Sequence, residues 1–267
     1  MSLNPVQFGK DVIDQYGRYL RTTFPITDPR LAEQFRRGLA YGPGGGERLA
    51  KGPYVSLNRP FVQGPGIEEL IADDALGLHP ALGGLFPFET LHRHQELSLR
   101  SVVAGRHVML ATGTGSGKTE GFLLPILDHC LKLRDANAPE GVAALLVYPM
   151  NALVNDQMDR LRPLLAGSRL TFGRYTGETP ETASGVHQLS EPRHYTDTER
   201  HRARERVEAL PLPWEECASR ADIRERTPRL LLTNYSQLEY MLLRDRDLDL
   251  LRSPMLRFFV FDEVHTY

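Results

Sequence analysis

Cysteine is nearly absent: Cys130 and Cys217 are the two in 267 residues. Two distant thiols cannot by themselves build a disulfide framework or a zinc site. Charge of one sign is missing as well. The formal net charge is -2, so no global basic field draws in a polyanion, and any polyanion site must be local. There is no run of ~18 apolar residues, so no membrane span and no membrane partner are expected. The first residues, M-S-L-N-P-V-Q-F-G-K, contain no basic stretch followed by an apolar core, so no secretory signal is expected and the reading is cytoplasmic. Lysine is scarce: of 32 Lys and Arg residues only Lys10, Lys51, Lys118 and Lys132 are lysine. A chain that uses arginine almost everywhere keeps lysine where a compact point charge serves better than a planar fork. With 41% hydrophobic and 25% charged residues, what remains is an ordinary globular composition, long enough for about two domains.

Two regions differ in character. Residues 1–87 read as a mostly helical accessory region. Val12, Ile13, Tyr16, Tyr19 and Leu20 share one helical face, and Leu31, Phe35 and Leu39 begin a second short helix. Residues 42–66 are rich in Gly and Pro and read as a connector, with a short helix at about 67–76 after it. From residue 88 onward apolar runs alternate with amphipathic stretches, the rhythm of a parallel α/β sheet. The expected strands are His107–Ala111, Val142–Tyr148, Leu170–Tyr175, Leu230–Thr233 and Phe258–Phe261. Helical spacing links Val154, Met158, Leu161 and Leu165. It also links Phe122, Ile126 and Cys130, where Pro125 predicts a kink. Residues from about 179 to 228 are polar, Arg-rich and poor in strand signal, and read as an insertion.

T-G-T-G-S-G-K-T, Thr112–Thr119, follows an apolar run and precedes a helical one, the setting a phosphate-binding loop requires. Its glycines let backbone amides converge on phosphate oxygens, and the following helix adds positive potential. Thr114, Gly115, Ser116, Gly117, Lys118 and Thr119 are the expected nucleotide contacts. Lys118 faces the β- and γ-phosphates, and the Thr119 hydroxyl is a ligand for Mg²⁺. The strict pattern places glycine at 112, where this chain has threonine; the G-K-T core is intact. The second signal is Asp262-Glu263-Val264-His265, at the end of the apolar run Arg257–Phe261. Carboxylates there sit where α/β sheets bind ligands. Asp262 is the expected Mg²⁺ holder, through water, and Glu263 the group that polarises an attacking water.

Together these residues resemble superfamily 2 helicases of the DEAD/DEAH-box group, over roughly residues 88–267. T-G-T-G-S-G-K-T matches motif I and D-E-V-H matches motif II, whose His265 joins Lys118, Asp262 and Glu263 as the implied catalytic set. Gln95, in L-H-R-H-Q, stands where the family places its adenine-reading glutamine. Y-P-M-N-A-L-V-N-D-Q resembles motif Ia, and T-G-E and L-T-N-Y resemble motifs Ib and Ic. The resemblance therefore implies nucleic-acid backbone contacts at Pro149, Asn151, Gln157, Thr176, Gly177, Thr233 and Asn234. L-L-T-N-Y-S-Q-L-E-Y-M-L-L and D-E-V-H-T-Y are similar to the YprA-like branch.

The implied fold is an incomplete RecA-like P-loop lobe with a parallel sheet, preceded by the helical region. The implied cofactors are ATP and Mg²⁺. The implied partners are nucleic acid, DNA in preference to RNA, a second RecA-like lobe, and defence or repair proteins. The implied activity is that of an ATP-dependent helicase or translocase, of which this chain is the N-terminal motor lobe, inactive by itself. The alternative is a nucleotide-gated module that binds nucleic acid or a partner without unwinding.

Other residues carry blander readings. His92 and His94 are too few for a metal site and read as packed or solvated, with stacking on adenine the alternative. Cys130 reads as core and Cys217 as without chemistry. Arg193–Arg206 reads as a solvated helix, with a backbone-tracking patch the alternative. Trp214 reads as packing under the insertion.

Overall fold

A computed structural model describes residues 4–39, 60–113, 115–199 and 211–266, within two compact units, Met1–Pro60 and Phe61–Tyr267. In the first unit, helices α1 (Pro5–Thr23) and α2 (Pro29–Gly38) both begin with proline behind a side-chain cap. Asn4 accepts from the N–H groups of Val6 and Gln7, and Asp28 from those of Arg30 and Leu31. Each cap satisfies donors that the first turn leaves open, and proline there gives up only an N–H that had no partner. Most of the expected Gly/Pro connector lies outside the described residues.

The second unit opens with β1 (Gln63–Gly66), paired antiparallel with β2 (Thr90–His92). Between them lie α3 (Ile67–Ile71), shorter than the helix expected at 67–76, and a 3₁₀ turn, Pro80–Leu85. Residues 61–87, grouped by composition with the N-terminal region, pack here. Ile67, Leu70, Leu82 and Leu91 share one core with Leu123, Leu124 and Leu127. Those three leucines lie on α5 (Lys118–Asp135), which follows α4 (Arg93–Val103). α5 continues through Pro125 as one helix, and burial of Pro125 with its neighbours Leu124 and Ile126 outweighs the lost backbone bond. Cys130 is fully buried, and burial pushes its thiol up to about 12, so it stays protonated.

The main sheet contains β3 (Ala144–Tyr148), β4 (Phe172–Tyr175), β5 (Glu216–Cys217), β6 (Leu230–Asn234) and β7 (Phe258–Phe261), all parallel, in the order β5-β4-β6-β3-β7. Side chains alternate across it. Ala144, Leu146, Leu230 and Leu232 face the core built with α5 and with Val154, Met158 and Leu161 of α6 (Asn151–Leu165). Leu145, Val147 and Leu231 face a second core with Ile223, Met241 and Leu250. These come from α7 (Arg220–Arg226), α8 (Tyr235–Leu242) and α9 (Asp245–Leu251). A strand buried on both faces needs apolar residues at every position, which is why β3 reads as a continuous run. β7 is covered on one face: Phe258 and Val260 pack on the first core, while Phe259 and Phe261 are exposed.

One expected strand does not form. His107–Ala111 runs as irregular chain with Met109 83% exposed. Its apolar residues have the propensity, but a strand needs a ladder partner, and no described strand lies beside it.

The insertion is tied into the lobe more closely than its polarity suggested. It supplies the edge strand β5 and helix α7. Arg162 on α6 donates to both carboxylate oxygens of the buried Glu216, at 2.7 and 2.9 Å. Glu215 accepts the N–H groups of Gly167 and Arg169. Arg226 lies over the Trp214 ring at 4.5 Å, so this tryptophan face is taken by packing. Arg193 pairs with Glu199, and the run beyond it lies outside the described residues.

Removing one partner of a buried pair strands the other charge. Arg162→Met is therefore predicted to lower unfolding stability by about 3–5 kcal/mol. Arg162→Met combined with Glu216→Leu should recover most of it. Urea unfolding of both variants checks this; an unchanged midpoint in Arg162→Met would show that the insertion is not anchored through this pair.

Candidate functional site

The loop Thr112–Thr119 closes on itself by a short hydrogen bond between the Thr112 and Ser116 hydroxyls, 2.6 Å. Gly115 and Gly117 take φ of 72° and 74°, a region that side chains reach only with strain. Gly117 is the residue before α5, so Lys118 and Thr119 present open N–H groups at a helix N-terminus. A Cβ at Gly113 or Gly115 would meet no protein atom within 4 Å, so the loop borders open space. Lys118 Nζ reaches the Thr112 carbonyl at 3.4 Å, and Thr119 is half-buried behind it. Thr114 lies outside the described residues.

Helix α4 braces this loop. Gln95 is buried, accepts the His92 N–H at 2.7 Å, and donates to the Gly117 carbonyl at 2.9 Å. Ser98 donates to the Gly121 carbonyl one turn further on. His92 and His94 stack on each other at 5.7 Å, and both lie against Phe61, at 5.4 and 6.0 Å. Burial, with His92 as a secondary cause, holds the His94 imidazole below its usual range.

β7 delivers the acidic turn. The Asp262 N–H donates to Val147 of β3, and the Asp262 carboxylate accepts the Glu263 N–H at 3.1 Å. Burial raises the Asp262 carboxyl above the usual carboxylate range; the Glu263 N–H and the Lys118 charge pull the other way. Glu263 sits at φ 49°, unusual for a residue with a side chain. Its carboxylate lies 3.9 Å from Lys118 Nζ and 3.5 Å from His265 Nδ1. Two segments 145 residues apart in sequence thus meet, phosphate loop against carboxylates.

The residues of the backbone-contact motifs gather at the C-terminal ends of β3, β4 and β6, but in two different roles. Thr176 and Thr233 are fully buried. Thr233 donates across to the Tyr175 carbonyl of β4 at 2.7 Å, and the Thr176 hydroxyl accepts the Glu178 N–H at 3.3 Å, so one ties two strand ends and the other shapes its own turn. Gln157 is buried on α6, while Pro149 is half-buried where β3 passes into that helix. Gly177, Asn151 and Asn234 reach the surface, and Asn234 donates to the Asn151 side-chain oxygen at 2.5 Å. The expected contacts omit Asn155 and Glu178, although both lie inside the matched segments, and Arg174, two residues before T-G-E; these three complete this cluster. The signal that could have found them is spacing: Asn155 stands four residues after Asn151 on a helix, and Arg174 and Glu178 flank Thr176 at alternate positions. Behind the cluster, the buried Tyr175 hydroxyl donates to Asp247 and accepts from Arg224, while Arg220 donates to the Thr176 carbonyl.

The family model for DEAD/DEAH box helicases matches residues 92–267. The chain belongs to this family. Among curated relatives, Druantia protein DruE of Escherichia coli is 32% identical over 193 residues, covering 64% of this chain and 10% of that protein. ATP-dependent RNA helicase has1 of Schizosaccharomyces pombe is 34% identical over 110 residues, covering 38% of this chain and 18% of its own. The crystal structure of the DUF1998 helicase MrfA bound to DNA and AMPPNP superposes with a TM-score of 0.51 at 19% identity, covering 78% of this chain and 23% of that one. At that identity the likeness shows the fold, a RecA-like helicase lobe. The chain spans about a tenth of DruE and less than a quarter of MrfA.

Gly117 is doubly constrained, by its φ and because a Cβ there would lie 2.4 Å from Gln95 Nε2. Gly117→Ala is predicted to cost about 1–3 kcal/mol of unfolding stability. Adding Gln95→Ala should relieve the collision but not the backbone strain, so recovery is partial. Full recovery in urea unfolding would mean the left-handed conformation is not required.

Proposed function

We propose that this chain is the nucleotide-binding motor lobe of an ATP-dependent nucleic-acid helicase or translocase. The observation that carries the reading is the 3.9 Å approach of Lys118, the first residue of α5, to Glu263, just past the end of β7. The donor set fits a nucleoside triphosphate with Mg²⁺. Open N–H groups and a lysine face open space, and one hydroxyl and one carboxylate lie nearby. Among the described residues no cluster of three or more His, Cys, Asp or Glu side chains is placed to hold a metal alone. That suits Mg²⁺, which takes one or two carboxylates and completes its shell with phosphate oxygens and water.

Gly115, Ser116 and Gly117 would wrap the phosphates, and Lys118 would set its charge against the β- and γ-oxygens. Thr119 and Asp262 would hold the metal, which when bound supplies charge neutralisation between phosphates. Glu263 orients a water and accepts its proton, with His265 beside it. Gln95 has spent one acceptor on the His92 N–H and one donor on the Gly117 carbonyl, so one of each remains, which matches the adenine edge. The second wall of the site belongs to a second RecA-like lobe, which supplies cationic stabilisation of transition-state charge.

Asn151, Gly177 and Asn234 contact nucleic-acid backbone, while Pro149, Gln157, Thr176 and Thr233 shape the loops that carry them. We take DNA as the strand in preference to RNA, as the family resemblance of the motifs implies. Backbone contacts position a strand without reading it. The YprA-like branch, the helical accessory role of residues 1–87, and defence or repair partners belong to the same proposal.

Lys118→Ala is predicted to weaken binding of a Mg·ATP analogue to this chain at least about tenfold, since a charge-assisted contact to phosphate contributes about 1.5–3 kcal/mol. Calorimetric titration checks this, and equal affinities would sink the assignment. Glu263→Gln should leave that affinity nearly unchanged and slow phosphate release by the two-lobed motor by about 10²-fold or more. Hydrolysis at the wild-type rate would remove Glu263 from the mechanism. Strand-stimulated turnover without strand separation would favour the gated binding module over the helicase.

A further inference from the structure

Glu178 is an acidic side chain placed where the backbone-contact loops converge, and the family motifs give it no task. Its carboxylate accepts Asn151 Nδ2 at 3.0 Å and Asn155 Nδ2 at 3.3 Å, and the Arg174 guanidinium lies 3.9 Å away. The two amides come from the first two turns of α6, and the guanidinium from β4. Two amide donors and a neighbouring guanidinium charge around one anionic group suit a phosphate as well as a carboxylate.

The donors also hold their places independently of Glu178. Asn234 fixes Asn151 through its side-chain oxygen at 2.5 Å, and Arg174 donates to the Asn155 oxygen. Glu178, in contrast, is 52% exposed at its side chain, and it follows Gly177, where a Cβ would meet nothing within 4 Å. The fixed part of the cluster is the set of donors, and the part with room to move is the anion. Hydrogen bonds from Asn151 and Asn155, with the Arg174 charge adding to them, hold the Glu178 carboxyl below the usual carboxylate range, so it is ionised at neutral pH.

We propose that Asn151, Asn155 and Arg174 form a phosphate subsite for the nucleic-acid strand, and that Glu178 occupies it as an internal anion until the strand displaces it. This rests on the strand-binding reading above and extends it by naming the donors and their resident competitor. Glu178 thereby sets a threshold: weak or isolated anions fail to displace it, while a strand with several phosphates in register succeeds.

The test is anisotropy of a labelled single-stranded DNA titrated with the whole chain, across a series of salt concentrations. Glu178→Ala and the near-isosteric Glu178→Gln should both bind on the order of tenfold tighter than wild type at low salt. Their log–log salt slope should be steeper by about 0.7, the increment for one added phosphate contact on a single strand. The gain should vanish when Arg174→Met is added to Glu178→Ala. Urea unfolding of each variant separates these effects from misfolding, and Glu178→Gln retains a side chain that the amides can still bond. If wild type binds and both Glu178 variants bind equally or more weakly, Glu178 is a brace and the proposal is overturned while the strand reading stands. If neither wild type nor the variants show salt-dependent binding, the strand reading falls and the subsite with it.

Discussion

Val147 lies level with Thr233 of β6 on one side and with Phe261 of β7 on the other, and Thr233 lies level with Tyr175 of β4. Four strands therefore end in one row. Because all are parallel, the residues that follow lie at the same end of the sheet: Tyr148 and Pro149, Thr176, Asn234 and Asp262. A parallel ladder has a side-chain period of two, so slipping β7 by a residue would turn Phe258 and Val260 out of the core. On β3 and β6, buried on both faces, the same slip would exchange side chains between two cores packed for particular shapes. Register is thus held by apolar packing, and the polar groups at the sheet's end inherit their positions from it.

The row also divides the chemistry. At the β7 end stand the phosphate loop and the carboxylates; at the β4 and β6 end stand the asparagines and Glu178. β3 lies between them, giving its Val147 carbonyl to Asp262 and passing at Pro149 into the helix that begins with Asn151. The two ends are therefore joined through one strand and not through a flexible linker. The β7 end carries the less comfortable groups. Glu263 is held in a left-handed conformation that costs about 1–3 kcal/mol, and Asp262 is a carboxylate partly withdrawn from water. Both tolerate this because the β3–β7 ladder and the Lys118 charge hold them there.

The insertion shows how a polar segment becomes part of a lobe. Glu215 and Glu216, both buried, anchor it by accepting from Arg162 of α6 and from the backbone just past that helix. β5 then covers the edge of β4, and α7 places Arg220 and Arg224 around Tyr175. The loop carrying Thr176, Gly177 and Glu178 is steadied from behind by these arginines.

Much of this was legible in the residues alone. Four of the five apolar runs expected as strands form β3, β4, β6 and β7, because strands with a buried face admit little else there; β5, in the polar segment, carried no such run. The phosphate loop was legible because glycine, lysine and threonine at that spacing answer to local backbone geometry. What only the tertiary structure decided involves groups far apart in sequence. His107–Ala111 has strand propensity but no ladder partner, and propensity cannot supply one. Gln95 is half engaged by the Gly117 carbonyl, 22 residues away. Thr176 and Thr233, matched as contact residues, turn inward because neighbouring backbone groups need their hydroxyls. Glu178 looked like the end of a short motif, and its meaning came from two amides on α6, 27 and 23 residues distant. Local sequence fixes φ, caps and periodicity because those energies are settled within a few residues. Pairing of polar groups across elements waits on packing, because hydrogen bonds reach only about 3 Å and the fold decides what stands that close.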